Sequence, residues 1–276
     1  MGAWFDPVMT ETIPAPRVRP FPWLTVLAVV TGVTVVITAL SYLHVGPLGG
    51  SDLTGTIHQL FDVAKEESVA TAWSALLMSA AAVLSATCAR LAWSRDLGAG
   101  IAWLVLAAGF AALAIDEVAG VHERLPQYFD LSAVESSLGY AWLMIGIPLA
   151  LAIIAVVWWC ARRLTRTTRW LLLTGIVVFF AGAVGVEALT GFLAANHPDT
   201  HNAWLGELIH LEEFLELAGI GIAACAPLGA LELRARKKRP DEVSLALRLP
   251  SRETARKAPR ETPDDAPAER PAGAPG

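Results

Sequence analysis

The chain has 276 residues, of which 54% are hydrophobic and 17% charged, with a formal net charge of −5. That balance is too apolar for an ordinary soluble domain, and it offers no clustered basic surface of the kind that binds nucleic acid. The polar residues fall in short groups between apolar runs of about 20 residues, the length that crosses a bilayer core as a helix.

Residues 1–20 form a polar, proline-containing segment, with Arg17 and Arg19 just ahead of the first apolar run at about Phe21–Leu43. That run is longer than a signal-peptide core and no small-residue cleavage pattern follows it, so it is expected to be retained. The opening Met1-Gly2-Ala3-Trp4-Phe5-Asp6 lacks the Ser or Thr of a myristoylation signal. Further runs cover about Ser68–Trp93, Ala99–Ala119, Ser137–Trp159, Trp170–Leu193 and Leu208–Leu233. The pattern predicts an all-α, polytopic integral membrane protein with six transmembrane helices over residues 21–233. After Arg234 the chain is basic and then rich in Pro, Ala and Glu with no hydrophobic period. Residues 234–276 are expected to be a disordered tail.

Basic residues set the orientation. Arg17 and Arg19 precede the first run, Arg90 and Arg95 lie between the second and third, and Arg162, Arg163, Arg166 and Arg169 join the fourth and fifth. Arg234, Arg236, Lys237, Lys238 and Arg239 follow the sixth. The alternate loops hold only Lys65 and Arg124 beside many acids and histidines. By the positive-inside rule both termini are expected in the cytoplasm, in a cell membrane taken here to be the bacterial cytoplasmic one. Trp93, Trp158, Trp159 and Trp170 then fall at the inner interface and Trp204 at the outer one. Cys88, Cys160 and Cys225 are dispersed in apolar runs without metal-binding spacing and read as small core residues.

Acids and histidines inside the apolar runs carry the chemistry. At 1.5 Å per residue, Asp116, Glu187 and Glu216 lie roughly 27 Å from the cytoplasmic ends of their helices. Glu67, His122 and His210 lie at roughly 35 Å on the same count. The second, third, fifth and sixth runs thus each bring polar groups to one outer layer, while the first and fourth bring none. An ionised carboxylate in a bilayer costs about 2.5–3.5 kcal/mol even on the lenient scale, so this layer needs a cation or shared protons. His210, Glu213 and Glu216 step by three and share one helical sector, and Glu207 and His210 have the Glu-x-x-His spacing of di-metal helical bundles. His122 joins the cluster only where the helix loosens near Gly120. Gly182 and Gly185 read as close helix-packing positions, and Ser74 as a packing hydroxyl.

These residues point to a membrane-embedded metal-dependent enzyme with a His/carboxylate centre near the outer face. The expected ligands are Asp116, His122, Glu187, His210, Glu216 and Glu67, with Glu117 or Glu213 as general base. The expected cofactor is a divalent metal (Zn, Fe or Mn), serving a metallohydrolase or a di-metal oxidase. The partners expected are membrane lipids and a hydrophobic or lipid-like substrate. A proton- or cation-coupled transporter using the same acidic layer is the alternative. Haem held between His122 and His210 ranks below both, because it leaves the acids unexplained.

Overall fold

The computed structural model describes residues 17–42, 60–65, 67–121, 124, 143–196, 202–236 and 239–250. It is mostly helical. Strand β1 (Arg17–Pro20) leads into α1 (Trp23–Tyr42), followed by α2 (Val69–Trp93), α3 (Leu97–Ala119) and α4 (Leu143–Ala161). The fifth run is one continuous rod in three parts: α5 (Arg166–Phe180), a π-helical turn (Ala181–Val186) and α6 (Glu187–Asn196). Then come α7 (Asn202–Ala224), the short α8 (Ala226–Ala230), β2 (Leu231–Arg236) and β3 (Arg239–Leu247).

The helices start where a side chain satisfies the free amides of the first turn. Ser68 accepts from Thr71 N at 3.3 Å, Asp96 from Ala99 N at 3.1 Å and Thr165 from Thr168 N at 3.4 Å. Gly120 ends α3 in the left-handed region (φ 55°), where a residue without Cβ carries no steric penalty, and its amide returns to the Asp116 carbonyl.

Among the described residues, four helices are long and apolar enough to cross a membrane: Trp23–Tyr42, Val69–Trp93, Leu97–Ala119 and the composite Arg166–Ala194. α7 has the length, at 23 residues, but Glu207, Glu212, Glu213 and Glu216 set it apart in composition. α4 contributes a shorter apolar helix, Gly146–Ala161, around an internal Pro148; the start of the expected fourth run, 137–142, lies outside the described residues.

α2 and α3 form the most extensive helix pair, through small side chains on α2 (Ala81, Cys88, Ala89, Ala92) set against Trp103, Leu106 and Phe110 of α3. Small residues let backbones approach, so dispersion contacts rather than large side chains join the two. α7 packs on α5 by the same means: a Cβ on Gly175 would lie 2.7 Å from the Gly219 carbonyl oxygen, and one on Gly219 would meet the Phe179 backbone. Large apolar side chains such as Leu24, Val83, Leu151 and Val177 point outward from the bundle. All three cysteines are free and buried.

The expectation of an all-α chain with a structureless tail from residue 234 is corrected at one end. β1, β2 and β3 form an antiparallel sheet in that order, pairing Val18 with Arg234 and Arg234 with Ser244. Leu231 and Leu247 tuck under it into the helical core, and Arg95 donates to the Leu247 carbonyl at 3.0 Å. The sheet therefore closes the end of the bundle that also carries Arg163, whose guanidinium lies beside Gly98 and over the Trp159 ring. Residues 251–276 and 1–16 lie outside the described residues.

Candidate functional site: an acidic cavity

The end of the bundle opposite the sheet encloses a cavity of about 460 Å³. Six carboxylates are among its lining residues: Asp116 and Glu117 at the end of α3, Glu187 at the start of α6, and Glu212, Glu213 and Glu216 on α7. Opposite them, α4 supplies an apolar wall from Gly146, Leu149, Ala150 and Ile153. That spacing (i, i+3, i+4, i+7) is a single helical face. Met78, Leu113, Phe179 and Phe180 lie deeper, toward the sheet end, and the rim carries Lys65 and Thr71.

Local structure explains how each acid arrives. The α3 helix turns Asp116 and Glu117 inward while their neighbours Ile115 and Val118 are 65% and 73% exposed on the other side. Glu187 follows the π turn directly. One π turn adds a residue to the rod and rotates everything after it by about 100° relative to a regular helix, a device common beside functional sites. On α7, taking Glu216 as zero, Glu212 and Glu213 fall about 40° and 60° to either side, so the three share one face. Glu216 is the deepest. It interacts electrostatically with Glu213, Glu212, Glu117 and Glu187, which places it at the centre of the acids. Asp116, Glu117, Glu187 and Glu213 also make polar contacts of their own.

Of the residues expected as ligands or bases, Asp116, Glu187, Glu216, Glu117 and Glu213 converge on this cavity. Glu67 is exposed and off the cavity lining, one residue before the cap of α2. His122 lies outside the described residues. His210 is turned elsewhere. It sits about 120° around α7 from Glu216 and six residues further out, on the side facing α1. There its Nδ1 lies 2.8 Å from the Gly206 carbonyl, its Nε2 3.1 Å from Ser41 Oγ, and its ring 4.3 Å from that of Tyr42. The expected three-residue stepping of His210, Glu213 and Glu216 into one ligand set is thereby corrected: α1 takes the imidazole.

Two cavity residues escape sequence reasoning. Glu212 reads as an interface acid facing water, yet its i, i+4 relation to Glu216 is the signal that puts both on one face. Lys65 reads as an isolated loop lysine, and nothing in its neighbourhood announces that the turn folds over the acids. Among the described residues, no group of three or more His, Cys, Asp or Glu side chains is placed to hold a metal ion. The arrangement is a carboxylate-lined chamber with one apolar wall.

No curated protein and no solved structure matches the chain. A family model described as a domain of unknown function, DUF8692, matches residues 24–229, which run from α1 to α8 and leave out all three strands. The chain belongs to the DUF8692 family.

Proposed function

We propose that the chain crosses the membrane six times with both termini in the cytoplasm, and that it is a metal-dependent enzyme acting on a hydrophobic or lipid-like substrate from the outer side. The observation that carries this reading is the cavity's two-sided lining, acids on α3, α6 and α7 against the bare apolar face of α4. The acids suit a cation and the head of a substrate. The α4 face suits a hydrocarbon chain.

Three arguments support the topology. β1 precedes α1 and β2 follows α8, yet they share hydrogen bonds, so an even number of crossings separates them. The four membrane-length helices become six when α4 and α7 are added. Arg95, Arg163 and Arg234 stand at the sheet end and the carboxylates at the other, as the positive-inside rule requires of cytoplasmic and outer faces.

The donors in the cavity are hard carboxylate oxygens. Of zinc, iron and manganese, that set favours manganese. An open chamber suits an ion that keeps several waters, each taking about 30 Å³ of liquid volume, with space left for a substrate head group. A bound divalent ion would supply Lewis acidity or a hydroxide. Glu117 or Glu213 would take a proton from water there, with α4 as an apolar wall beside them. Catalysis is favoured over transport because the lining below the acids is apolar (Met78, Leu113, Phe179, Phe180) and the bundle beneath it is filled by Trp103, Leu172 and Ile176.

The test is elemental analysis and Mn²⁺ electron paramagnetic resonance on purified protein, with Glu187→Gln and Glu216→Gln alongside. Stoichiometric metal in the wild type and its loss in both variants are expected. Flux of protons or Mn²⁺ across proteoliposomes, stopped by Glu187→Gln in a protein that never retains metal, would establish the transport reading instead.

A further inference from the structure

The polar junction between α1 and α7 lies outside the cavity yet touches its rim. Gly206 O can only accept, so His210 Nδ1 carries the proton in that 2.8 Å contact. A neutral ring then presents Nε2 as acceptor to the Ser41 hydroxyl at 3.1 Å. The Ser41 oxygen in turn accepts from Val63 N at 3.3 Å. Val63 begins the middle of a tight turn in which Lys65 N donates to Asp62 O at 3.2 Å and Ala64 N to the Asp62 side chain at 3.2 Å. Val63, Ala64 and Lys65 all line the cavity. Ser41 is 2% exposed and is not part of the cavity surface, so the pair meets no substrate. Its reach is through the turn.

We infer that Ser41 and His210 are positioning residues for the mouth of the acidic cavity: they hold the Asp62–Lys65 turn so that the Lys65 ammonium stands over the carboxylates. Lys65 is the only basic residue among the described lining residues, which include six acids. Its place at the rim sets the field that an entering cation meets. Asp62 steadies it at 3.6 Å. The buried side chain of Val63, packed with Ile37, Ala70 and Leu217, anchors the turn from below. Tyr42 braces the same junction separately, stacking on His210 and donating to Glu207 at 2.9 Å. The inference rests on the cavity being a cation site.

The test places the probe at the rim and needs no identified substrate. Lys65→Cys is reacted with a cationic trimethylammonium methanethiosulfonate and with its anionic sulfonate counterpart; Cys88, Cys160 and Cys225 are buried and contribute little background. Focused negative potential favours the cationic reagent by about tenfold over the ratio for a small free thiol. Adding Ser41→Ala or His210→Gln is expected to lower that preference at least about threefold as the turn leaves the acids. Ser41→Thr, which keeps the hydroxyl, and Tyr42→Phe, which loosens the junction without breaking the Ser41–His210–Val63 chain, are expected to retain it. A strong preference that survives Ser41→Ala and His210→Gln overturns the positioning role and leaves the cavity reading intact. A preference lost equally in Tyr42→Phe reduces the pair to general packing and also overturns it. No preference in Lys65→Cys alone removes both the cation site and the inference resting on it.

Discussion

Gly182 lies against the main chain of Glu212: a Cβ at 182 would stand 2.7 Å from the Glu212 carbonyl oxygen and 3.1 Å from Cγ of Glu216. The backbone of the π turn thus touches the helix that carries half of the cavity's acids. With Gly175 and Gly219 lower down, it fixes the distance between Glu187 and the α7 carboxylates.

Gly182→Ala is therefore expected to destabilise the protein by about 1–3 kcal/mol, the usual cost of overpacking. Gly185→Ala, three residues on, has nothing nearer than the Phe180 carbonyl at 3.9 Å and should be neutral or slightly stabilising. Unfolding in mixed detergent micelles reads both. Equal losses for the two would mean that the helices do not meet at Gly182.

Glu216→Gln should separate function from stability. Four other carboxylates act on Glu216, and Gln keeps the side chain's shape while taking away a carboxylate that a cation could bind. The variant is expected to unfold within about 1 kcal/mol of the wild type, which for a chain of this size is a midpoint shift of no more than ~2–4 °C. Cation binding should fall in the same variant. A larger loss of stability would point to a role for the carboxylate in holding the helices together.

Ser74 and Ser85 on α2 are buried, and their hydroxyls find no hydrogen-bond partner among the described residues. An unpaired buried hydroxyl costs about 1–3 kcal/mol, so Ser85→Ala is expected to be neutral or stabilising. Ser74 lies on the same helical face as Thr71 and Met78 of the cavity lining. Thermal unfolding of both alanine variants decides whether Ser74 alone resists replacement, which would mark it as a partner for something held in the cavity.

The proposed six-span topology is open to cysteine labelling in intact cells. Trp204→Cys, at an exposed position near the acidic end, should react with a membrane-impermeant maleimide, and Ser94→Cys, exposed at the sheet end, should react only after lysis. Reaction of Ser94→Cys from outside would invert the molecule and put the cavity on the cytoplasmic side.

The helices were legible in the sequence because apolar runs of membrane length have few alternatives, and the acidic layer because depth along a helix follows from counting. What lay beyond counting was rotation. Nothing in Ala181-Gly182-Ala183-Val184-Gly185-Val186 declares a π turn, yet that turn sets the direction of Glu187. His210 shares a three-residue step with Glu213, but the neighbouring helix α1 decides which side it serves. The strands did carry a signal. Leu231, Leu233 and Ala235 alternate with Glu232, Arg234 and Arg236, and Val243, Leu245 and Leu247 repeat the period of two. The arginines, which by themselves read as a cytoplasmic flank, obscured it.

The sheet also dates the molecule's completion. Arg17–Pro20 find their hydrogen-bond partners at Glu232–Ala235, more than 200 residues later in the chain. At a synthesis rate of about 5–20 residues per second, β1 waits on the order of 10–40 s for β2 to leave the ribosome. On the proposed topology it pairs only when every helix between them has been inserted with the right parity. On that topology a chain that skipped or inverted one crossing would strand β1 and β2 on opposite faces, each an open edge in water, and a closed sheet would record that insertion ended correctly.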